Sequence, residues 1–178
     1  MRSSAEVFRL SDLPDPRDEQ FRMRLLSVLN WGTFTGLHRM PVSPEGTLII
    51  GPSGAGKSTL LDAISALTVS PRTVRFNAAA DESGKRDPDR TLMSYVRGAW
   101  AERADEESAR SLAKQYLRTN ATWTAVALEY ANALGRVVSI VRILWVRGAG
   151  SSAKVESHFL VVDAPFDLSE IGEFTGER

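Results

Sequence analysis

Residues 51–59 read Gly51-Pro52-Ser53-Gly54-Ala55-Gly56-Lys57-Ser58-Thr59, and the first eight fit the pattern G-x-x-x-x-G-K-[ST] of a phosphate-binding loop. Glycines allow the backbone to curl so that successive N–H groups point inward and can cradle an anion. Upstream, residues 47–50 form a short apolar segment rich in β-branched residues, and this composition predicts a central strand covered on both faces. Downstream, apolar residues recur at helical spacing, which predicts an amphipathic helix over residues 57–67. The expected unit is therefore strand, loop and helix.

The polar residues of this loop have predicted tasks toward a bound nucleotide. Lys57 should reach the β- and γ-phosphates, and the Ser58 hydroxyl should complete a Mg²⁺ shell that remains partly water. Thr59 should contact the α-phosphate. The alternative, a glycine-rich turn with a coincidental lysine, is disfavoured because pattern and context are both satisfied. The sequence therefore predicts that ATP and Mg²⁺ bind here, and the residues of the predicted site are Gly51, Pro52, Ser53, Gly54, Ala55, Gly56, Lys57, Ser58 and Thr59.

Hydrolysis requires a further group, because the loop binds a triphosphate but does not activate water. Residues 159–163 are the one candidate for a Walker B strand, because four apolar residues are followed there by Asp163. The next residue, Ala164, cannot polarise an attacking water. A surface strand that ends in a turn is the favoured interpretation. We therefore assign Asp163 no catalytic role, and the sequence identifies no catalytic residue.

The rest of the chain predicts a flexible leader, residues 1–20, followed by one lobe, residues 21–178. The lobe is expected to have an α/β fold with a mixed, partly antiparallel sheet around the strand–loop–helix unit. A helical patch is predicted at residues 91–103 and an exposed excursion at residues 77–90. Further strands are predicted at residues 21–29, 33–42, 123–130, 137–146 and 156–162.

Composition narrows the possible partners. The 178 residues balance 22 Lys and Arg against 22 Asp and Glu, so no global positive field indicates nucleic acid or an anionic membrane. The chain contains no cysteine and two histidines, His38 and His158, which excludes thiolate metal sites. The most continuous apolar stretch, residues 137–146, is too short to span a bilayer, and residues 1–20 lack a secretory signal. We therefore expect a cytoplasmic protein with no membrane partner.

Segments outside the loop carry a more specific resemblance. Residues 25–34 contain Asn-Trp-Gly-Thr-Phe, and residues 94–98 read Ser-Tyr-Val-Arg-Gly. Together with residues 48–64, 76–80, 90–92 and 143–145, they resemble the opening of the SMC-like ATPases of the MukB and SbcC type. The resemblance is most specific to the JetC-type ATPases of Wadjet plasmid-defence systems. It runs from Phe21 to the end of the chain and is strongest through Gly98.

This resemblance implies the N-terminal lobe of an ABC-type ATPase head, whose C-terminal lobe would supply the signature motif and Walker B beyond a long coiled coil. Two heads would sandwich ATP and act on DNA with a kleisin-type subunit and, in Wadjet systems, a nuclease subunit. By position, residues 30–32 would lie near the nucleotide. Arg72 and Arg75 become candidates for phosphate or DNA contact. No glutamine follows Gln115, so the loop glutamine that helps such heads to bind Mg²⁺ has no match.

The chain ends at Arg178, where the resemblance predicts the approach to a coiled coil. We therefore expect an N-terminal fragment, a truncated gene or an incomplete gene model, with weak nucleotide binding and ATPase activity only when a C-terminal lobe completes the pocket. Apolar surface should be exposed where that lobe packs. Two alternatives remain open: an autonomous small P-loop kinase with an arginine-rich lid near residues 85–97, and a module that binds nucleotide without any second lobe.

Overall fold

The computed structural model describes residue 15 and residues 17–70, 73–74, 76, 91–104, 112–119, 122–148 and 152–171. Seven strands and two α-helices lie within these ranges. The helices are α1 (Lys57–Thr68) and α2 (Leu92–Arg97). The strands are β1 (Arg22–Leu29), β2 (Leu37–Pro41), β3 (Ala99–Ala104), β4 (Leu112–Tyr116), β5 (Trp123–Ala131), β6 (Val137–Arg147) and β7 (Lys154–Val162).

Five of the strands form one sheet in the order β2-β1-β5-β6-β7, and each neighbouring pair is antiparallel. β5 and β6 pair without interruption from Trp123 opposite Trp145 to Ala131 opposite Val137. The predicted strands at residues 21–29, 123–130, 137–146 and 156–162 are confirmed, and the strand predicted at 33–42 is present but begins at Leu37. Apolar, β-compatible runs between strong turn signals made these strands predictable.

The main core lies between this sheet and the two helices. α1 packs over β5 and β6, and α2 packs over β5, β6 and β7. Small residues on α1 allow the helix to approach the sheet closely, and they are Ala63 and Ala66. The larger buried residues of this core are Leu26, Val28, Leu67, Trp31, Phe76, Tyr95, Val96, Val126, Leu128 and Leu144. The helix predicted at residues 57–67 is thereby confirmed.

Arg142 is a buried charge within this core, with 2% of its surface exposed. Its Nη1 donates to the Ala66 carbonyl at 2.6 Å, in the last turn of α1, and its Nη2 donates to the Ser157 hydroxyl at 3.1 Å. Phe159 covers the guanidinium, 4.6 Å from its ring centroid. Burial lowers the pKa of Arg142. The side chain satisfies a carbonyl that a helix end leaves without an intrahelical donor, and so ties α1 to the sheet.

The opposite face of the sheet is covered by the segment after β7. A short 3-10 helix, Leu168–Glu170, places Leu168 and Ile171 against Ala125, Ala127 and Val141. The segment is held to the sheet by an ion pair of 2.5 Å between Arg39 on β2 and Asp167. A hydrogen bond from the Ser139 hydroxyl to the Ala164 carbonyl, 2.7 Å, fixes the turn that follows β7.

Two predicted elements are wrong. Residues 47–50 form no strand, and Leu48 and Ile50 are 85% and 80% exposed. The helix predicted at residues 91–103 ends at Arg97, because Gly98 adopts a left-handed conformation (φ 67°), and the chain continues as β3. β3 and β4 form a separate antiparallel hairpin that the sequence did not predict.

Two further predictions fall largely or wholly outside the described ranges. Only residues 15 and 17–20 of the predicted leader are described, and residues 77–90 of the predicted excursion are not. Among the described residues, no helix has both the length and the apolar character needed to cross a membrane.

Candidate nucleotide-binding site

The phosphate loop leads directly into the first residue of α1, Lys57. Gly56 precedes the helix in a left-handed conformation (φ 89°), and Gly54 has a φ of 81°. No side chain caps the start of α1, and its first turn contains no acidic residue. Because the first N–H groups of a helix lack intrahelical acceptors and carry the positive end of its dipole, this end of α1 is suited to an anion.

Lys57 folds back over the loop that precedes it. Its Nζ donates to the Gly51 carbonyl at 2.8 Å and to the Pro52 carbonyl at 2.7 Å. The loop curls between these residues, with the Ala55 N–H donating to the Pro52 carbonyl at 3.3 Å. A phosphate group bound in the loop would therefore offer its oxygens to an ammonium group that is already held beside it.

An aromatic ring lies against the last glycine of the loop. A Cβ placed on Gly56 would be 2.8 Å from Phe34 Cζ and 3.1 Å from Phe34 Cε2, so any side chain at position 56 would collide with the ring. Phe34 also packs edge-on against His38, with ring centroids 5.2 Å apart, and against the main core. The loop glycine is therefore required both by its backbone torsion and by this contact.

The turn between β1 and β2 lies beside the end of the motif. The Trp31 indole donates from Nε1 to the Thr59 carbonyl at 2.9 Å, and a Cβ on Gly32 would be 2.9 Å from Thr59 Cγ2. Trp31 is fully buried and stacks on Tyr95, with ring centroids 4.5 Å apart and planes within 2°. The structure thus places residues 30–32 next to the loop, as the resemblance implied.

Arg118 is a residue close to the site that sequence reasoning missed. It follows β4 and donates from Nη2 to the carbonyls of Asn30 at 2.8 Å and Gly32 at 2.7 Å. Nothing in the local sequence around Arg118 indicates a contact with residues so far along the chain. Phe34 was quoted only as part of the resemblance, and its contact with Gly56 was not predicted. Only a three-dimensional arrangement reveals both residues as neighbours of the site.

The other candidate residues are not brought to the loop. Asp163 is exposed and follows the edge strand β7, which agrees with the surface-strand interpretation. His38 and His158 lie on the opposite edge strands β2 and β7. Arg97 lies over the Tyr116 ring, 5.6 Å from its centroid, whereas Arg72 and Arg75 are outside the described ranges. The described part of the chain contains no cluster of three or more His, Asp or Glu residues that could hold a metal ion.

Comparison with known families agrees with this geometry. Residues 23–83 match the family model described as the P-loop containing region of an AAA domain. Over these residues the chain is similar to a P-loop region of this kind. The matched residues include all but the first residue of β1, together with β2, the loop and α1. The fold class predicted from the sequence, an α/β P-loop lobe, is confirmed, but every pair of neighbouring strands in the described sheet is antiparallel rather than mixed. No curated protein matches the chain. The assignment to SMC-like ATPases is a finer statement than this match and stays a prediction.

Proposed function

We propose that this chain is the ATP-binding N-terminal lobe of an SMC-like ATPase head that acts on DNA, and that hydrolysis requires a C-terminal lobe. The observation that carries the binding step is the uncapped start of α1, preceded by a glycine-rich loop over which Lys57 is folded. The match of residues 23–83 to a P-loop region supports the same step. The SMC-like assignment rests on the resemblance of the flanking segments.

In the proposed complex, the main-chain N–H groups of residues 53–58 would surround the β- and γ-phosphates, and Thr59 would contact the α-phosphate. Lys57 exchanges its contacts with the Gly51 and Pro52 carbonyls for phosphate oxygens, which are stronger acceptors because they are charged. Ser58 supplies one Mg²⁺ ligand, and phosphate oxygens and water supply the others, as is usual for this cation. These groups bind and orient the triphosphate, but none of them activates a water.

The segment before the loop supports a second lobe. Leu48 and Ile50 are strongly exposed directly upstream of Gly51, and Leu61 on α1 is 47% exposed. Exposed apolar side chains on both sides of the loop in sequence are compatible with a surface that a partner covers, because isolated domains seldom leave large apolar patches in water. A C-terminal lobe packed here would cover these residues and would bring the missing catalytic carboxylate to the γ-phosphate.

The resemblance alone supports the remaining parts of the proposal, which are action on DNA, a second head in a dimer, a kleisin-type subunit and a nuclease subunit. Because the formal net charge of the chain is +0, DNA contact would use a local patch, for which Arg72 and Arg75 are the candidates. Binding through phosphates predicts affinity for plasmid DNA that falls steeply with salt and does not depend on base sequence. Alanine at both positions should reduce that affinity and its salt dependence.

Calorimetry with Mg-ATP tests the binding step. Lys57→Ala should weaken binding by about tenfold or more, since it removes a charge-assisted contact to phosphate. Lys154→Ala, which removes an exposed lysine on β7, is the matched control and should bind like the wild type. Ser58→Ala should retain ATP binding but lose most of its dependence on Mg²⁺. No heat from the folded wild-type protein would refute the proposed site.

Turnover measurements separate this proposal from its two alternatives. The lobe alone should hydrolyse ATP negligibly, and the C-terminal lobe of a JetC-type ATPase added in trans should produce activity that Lys57→Ala abolishes. A small kinase would instead transfer phosphate to an acceptor without the added lobe. A binding-only module would bind ATP and show no gain from any added lobe.

A further inference from the structure

Arg118 is half-buried, and its guanidinium group lies among main-chain carbonyl groups. Its Nη2 donates to Asn30 at 2.8 Å, Gly32 at 2.7 Å and Tyr95 at 3.3 Å, and its Nε donates to the Val96 carbonyl at 3.0 Å. One guanidinium group therefore joins the turn after β1 to the last residues of α2.

Within the described residues, no carboxylate pairs with this charge, and the buried Nη1 has no hydrogen-bond partner. Burial accordingly lowers the pKa of Arg118. An unpaired arginine in such surroundings costs free energy, because carbonyl dipoles only partly replace its hydration. If Arg118 only filled space here, an apolar side chain of similar volume would make the fold as stable or more stable.

The carbonyls that Arg118 binds flank the residue that contacts the phosphate-binding motif. Asn30 and Gly32 lie on either side of Trp31, whose indole holds the Thr59 carbonyl, and Gly32 itself packs against Thr59. The path from Arg118 to the motif thus consists of one turn and one hydrogen bond. Thr59 is the last residue of the predicted nucleotide site.

The guanidinium group of Arg118 packs closely against Gly98. A Cβ on Gly98 would lie 2.6 Å from the Gly32 carbonyl oxygen and 2.8 Å from Arg118 Nη2. The hairpin of β3 and β4 is anchored at the same place, because the Leu117 N–H donates to the Gly98 carbonyl and the Arg118 N–H donates to the Arg97 carbonyl, each at 3.0 Å. A shift of the hairpin base would therefore move Arg118 and the turn together.

We propose that Arg118 is a positioning residue of the nucleotide site: it fixes the turn at residues 30–32 and through it holds Thr59 in place for the phosphates. This inference rests on the proposed nucleotide site. It adds a long-range residue, contributed by the end of the β3–β4 hairpin, that sets the affinity of a loop it does not contact.

The test compares Mg-ATP affinity, by calorimetry, in wild type, Arg118→Met and Arg118→Lys, with Arg147→Met as the matched control on the exposed end of β6. At a temperature where circular dichroism shows each variant to be folded, Arg118→Met should bind about tenfold more weakly than wild type. Arg118→Lys should be intermediate, because an ammonium group does not reproduce the planar fork. Arg147→Met should bind like the wild type.

Chemical rescue separates positioning from a general loss of structure. Methylguanidinium at low millimolar concentration should restore Mg-ATP affinity to Arg118→Ala and should do nothing for Lys57→Ala. Wild-type affinity in a folded Arg118→Met variant would overturn the inference while leaving the proposed function intact. If Arg118→Met does not fold, wild-type affinity in Arg118→Lys overturns it instead. An absence of binding in the wild type refutes the proposed function itself.

Discussion

The Tyr95 hydroxyl donates a hydrogen bond to the Asp62 carboxylate, which is buried with 4% of the residue exposed. The contact joins α2 to the second turn of α1, and Tyr95 at the same time stacks on Trp31 from the turn after β1. Three segments that are distant in sequence therefore meet at one tyrosine behind the phosphate loop. Because α1 begins at Lys57, this contact anchors the helix whose start forms the predicted site.

Removing the Tyr95 hydroxyl should destabilise the fold without displacing the ring. Tyr95→Phe leaves the Asp62 carboxylate buried with one hydrogen bond fewer, at an expected cost of about 1–2 kcal/mol in the free energy of unfolding. Urea denaturation measures this cost, and an unchanged near-ultraviolet circular dichroism spectrum would show that the stack on Trp31 persists. Tyr130→Phe is the control, because no hydrogen bond of the Tyr130 hydroxyl is present in the described ranges. Equal effects of both substitutions would contradict the role of the contact.

The sequence predicted the elements whose signals are local. β5 and β6 each show apolar runs bounded by turn residues, and the left-handed Gly135 (φ 80°) lies in the turn between them. α1 shows apolar residues at helical spacing directly after the loop. In each case the residues that define the element lie within about a dozen positions, so no knowledge of distant neighbours was needed.

Gly56→Ala should abolish nucleotide binding by a steric mechanism that can be separated from backbone strain. A left-handed alanine costs about 1 kcal/mol wherever it occurs, but at position 56 the new methyl must also displace the Phe34 ring from 2.8 Å. Gly135→Ala is the matched control, since its φ of 80° is similar and no atom lies within 4 Å of the added Cβ. Calorimetry should show wild-type Mg-ATP affinity for Gly135→Ala and none for Gly56→Ala. Retained binding in Gly56→Ala would show that the ring moves aside at little cost.

Sequence reasoning failed where the partner of a segment decides its structure. Residues 47–50 have the composition of a buried strand, but a strand also requires a neighbour for its N–H and C=O groups, and composition does not show whether one is present. Residues 99–103 were predicted as helix because the apolar pattern of α2 was extended past Gly98, whose left-handed torsion ends the helix. Pairing with β4 then makes these residues a strand.

Acid should weaken the fold through Asp167. A hydrogen bond from the Ser169 N–H and the ion pair with Arg39 lower the pKa of Asp167 to about 2. Because the unfolded chain binds this proton near the ordinary aspartate value of about 4, the contribution to stability is complete above that pH and is lost as pH falls toward 2. Urea midpoints measured across this range should fall less steeply in Asp167→Asn. Asp163→Asn, an exposed aspartate without a hydrogen bond in the described ranges, should keep the wild-type slope, and identical slopes in all three proteins would exclude this contribution.

The loop motif predicted the position of the candidate site, but not the residues that support it. Arg118 contacts Asn30 and Gly32 across separations of 88 and 86 residues, and Phe34 packs against Gly56 from the turn between β1 and β2. Such contacts depend on how β1, α2 and the β3–β4 hairpin are packed together, and a single sequence does not specify that packing. A motif thus identifies functional residues that are neighbours in the sequence. The residues that support them from distant segments can be identified only from the three-dimensional structure.

Substitutions of Leu48 and Ile50 test whether residues 47–50 pack within this lobe or contact a second lobe. Because both side chains are largely exposed, the double variant Leu48→Ser, Ile50→Ser should change the free energy of unfolding by no more than about 0.5 kcal/mol. Leu128→Ser, at a fully buried position on β5, should by contrast cost several kcal/mol and serves as the control. The double variant should also bind Mg-ATP like the wild type yet gain less ATPase activity from an added C-terminal lobe, since two of the three apolar side chains proposed to contact that lobe are removed. Severe destabilisation of the isolated lobe would show instead that these residues are packed within it, and full ATPase completion would show that the second lobe docks elsewhere.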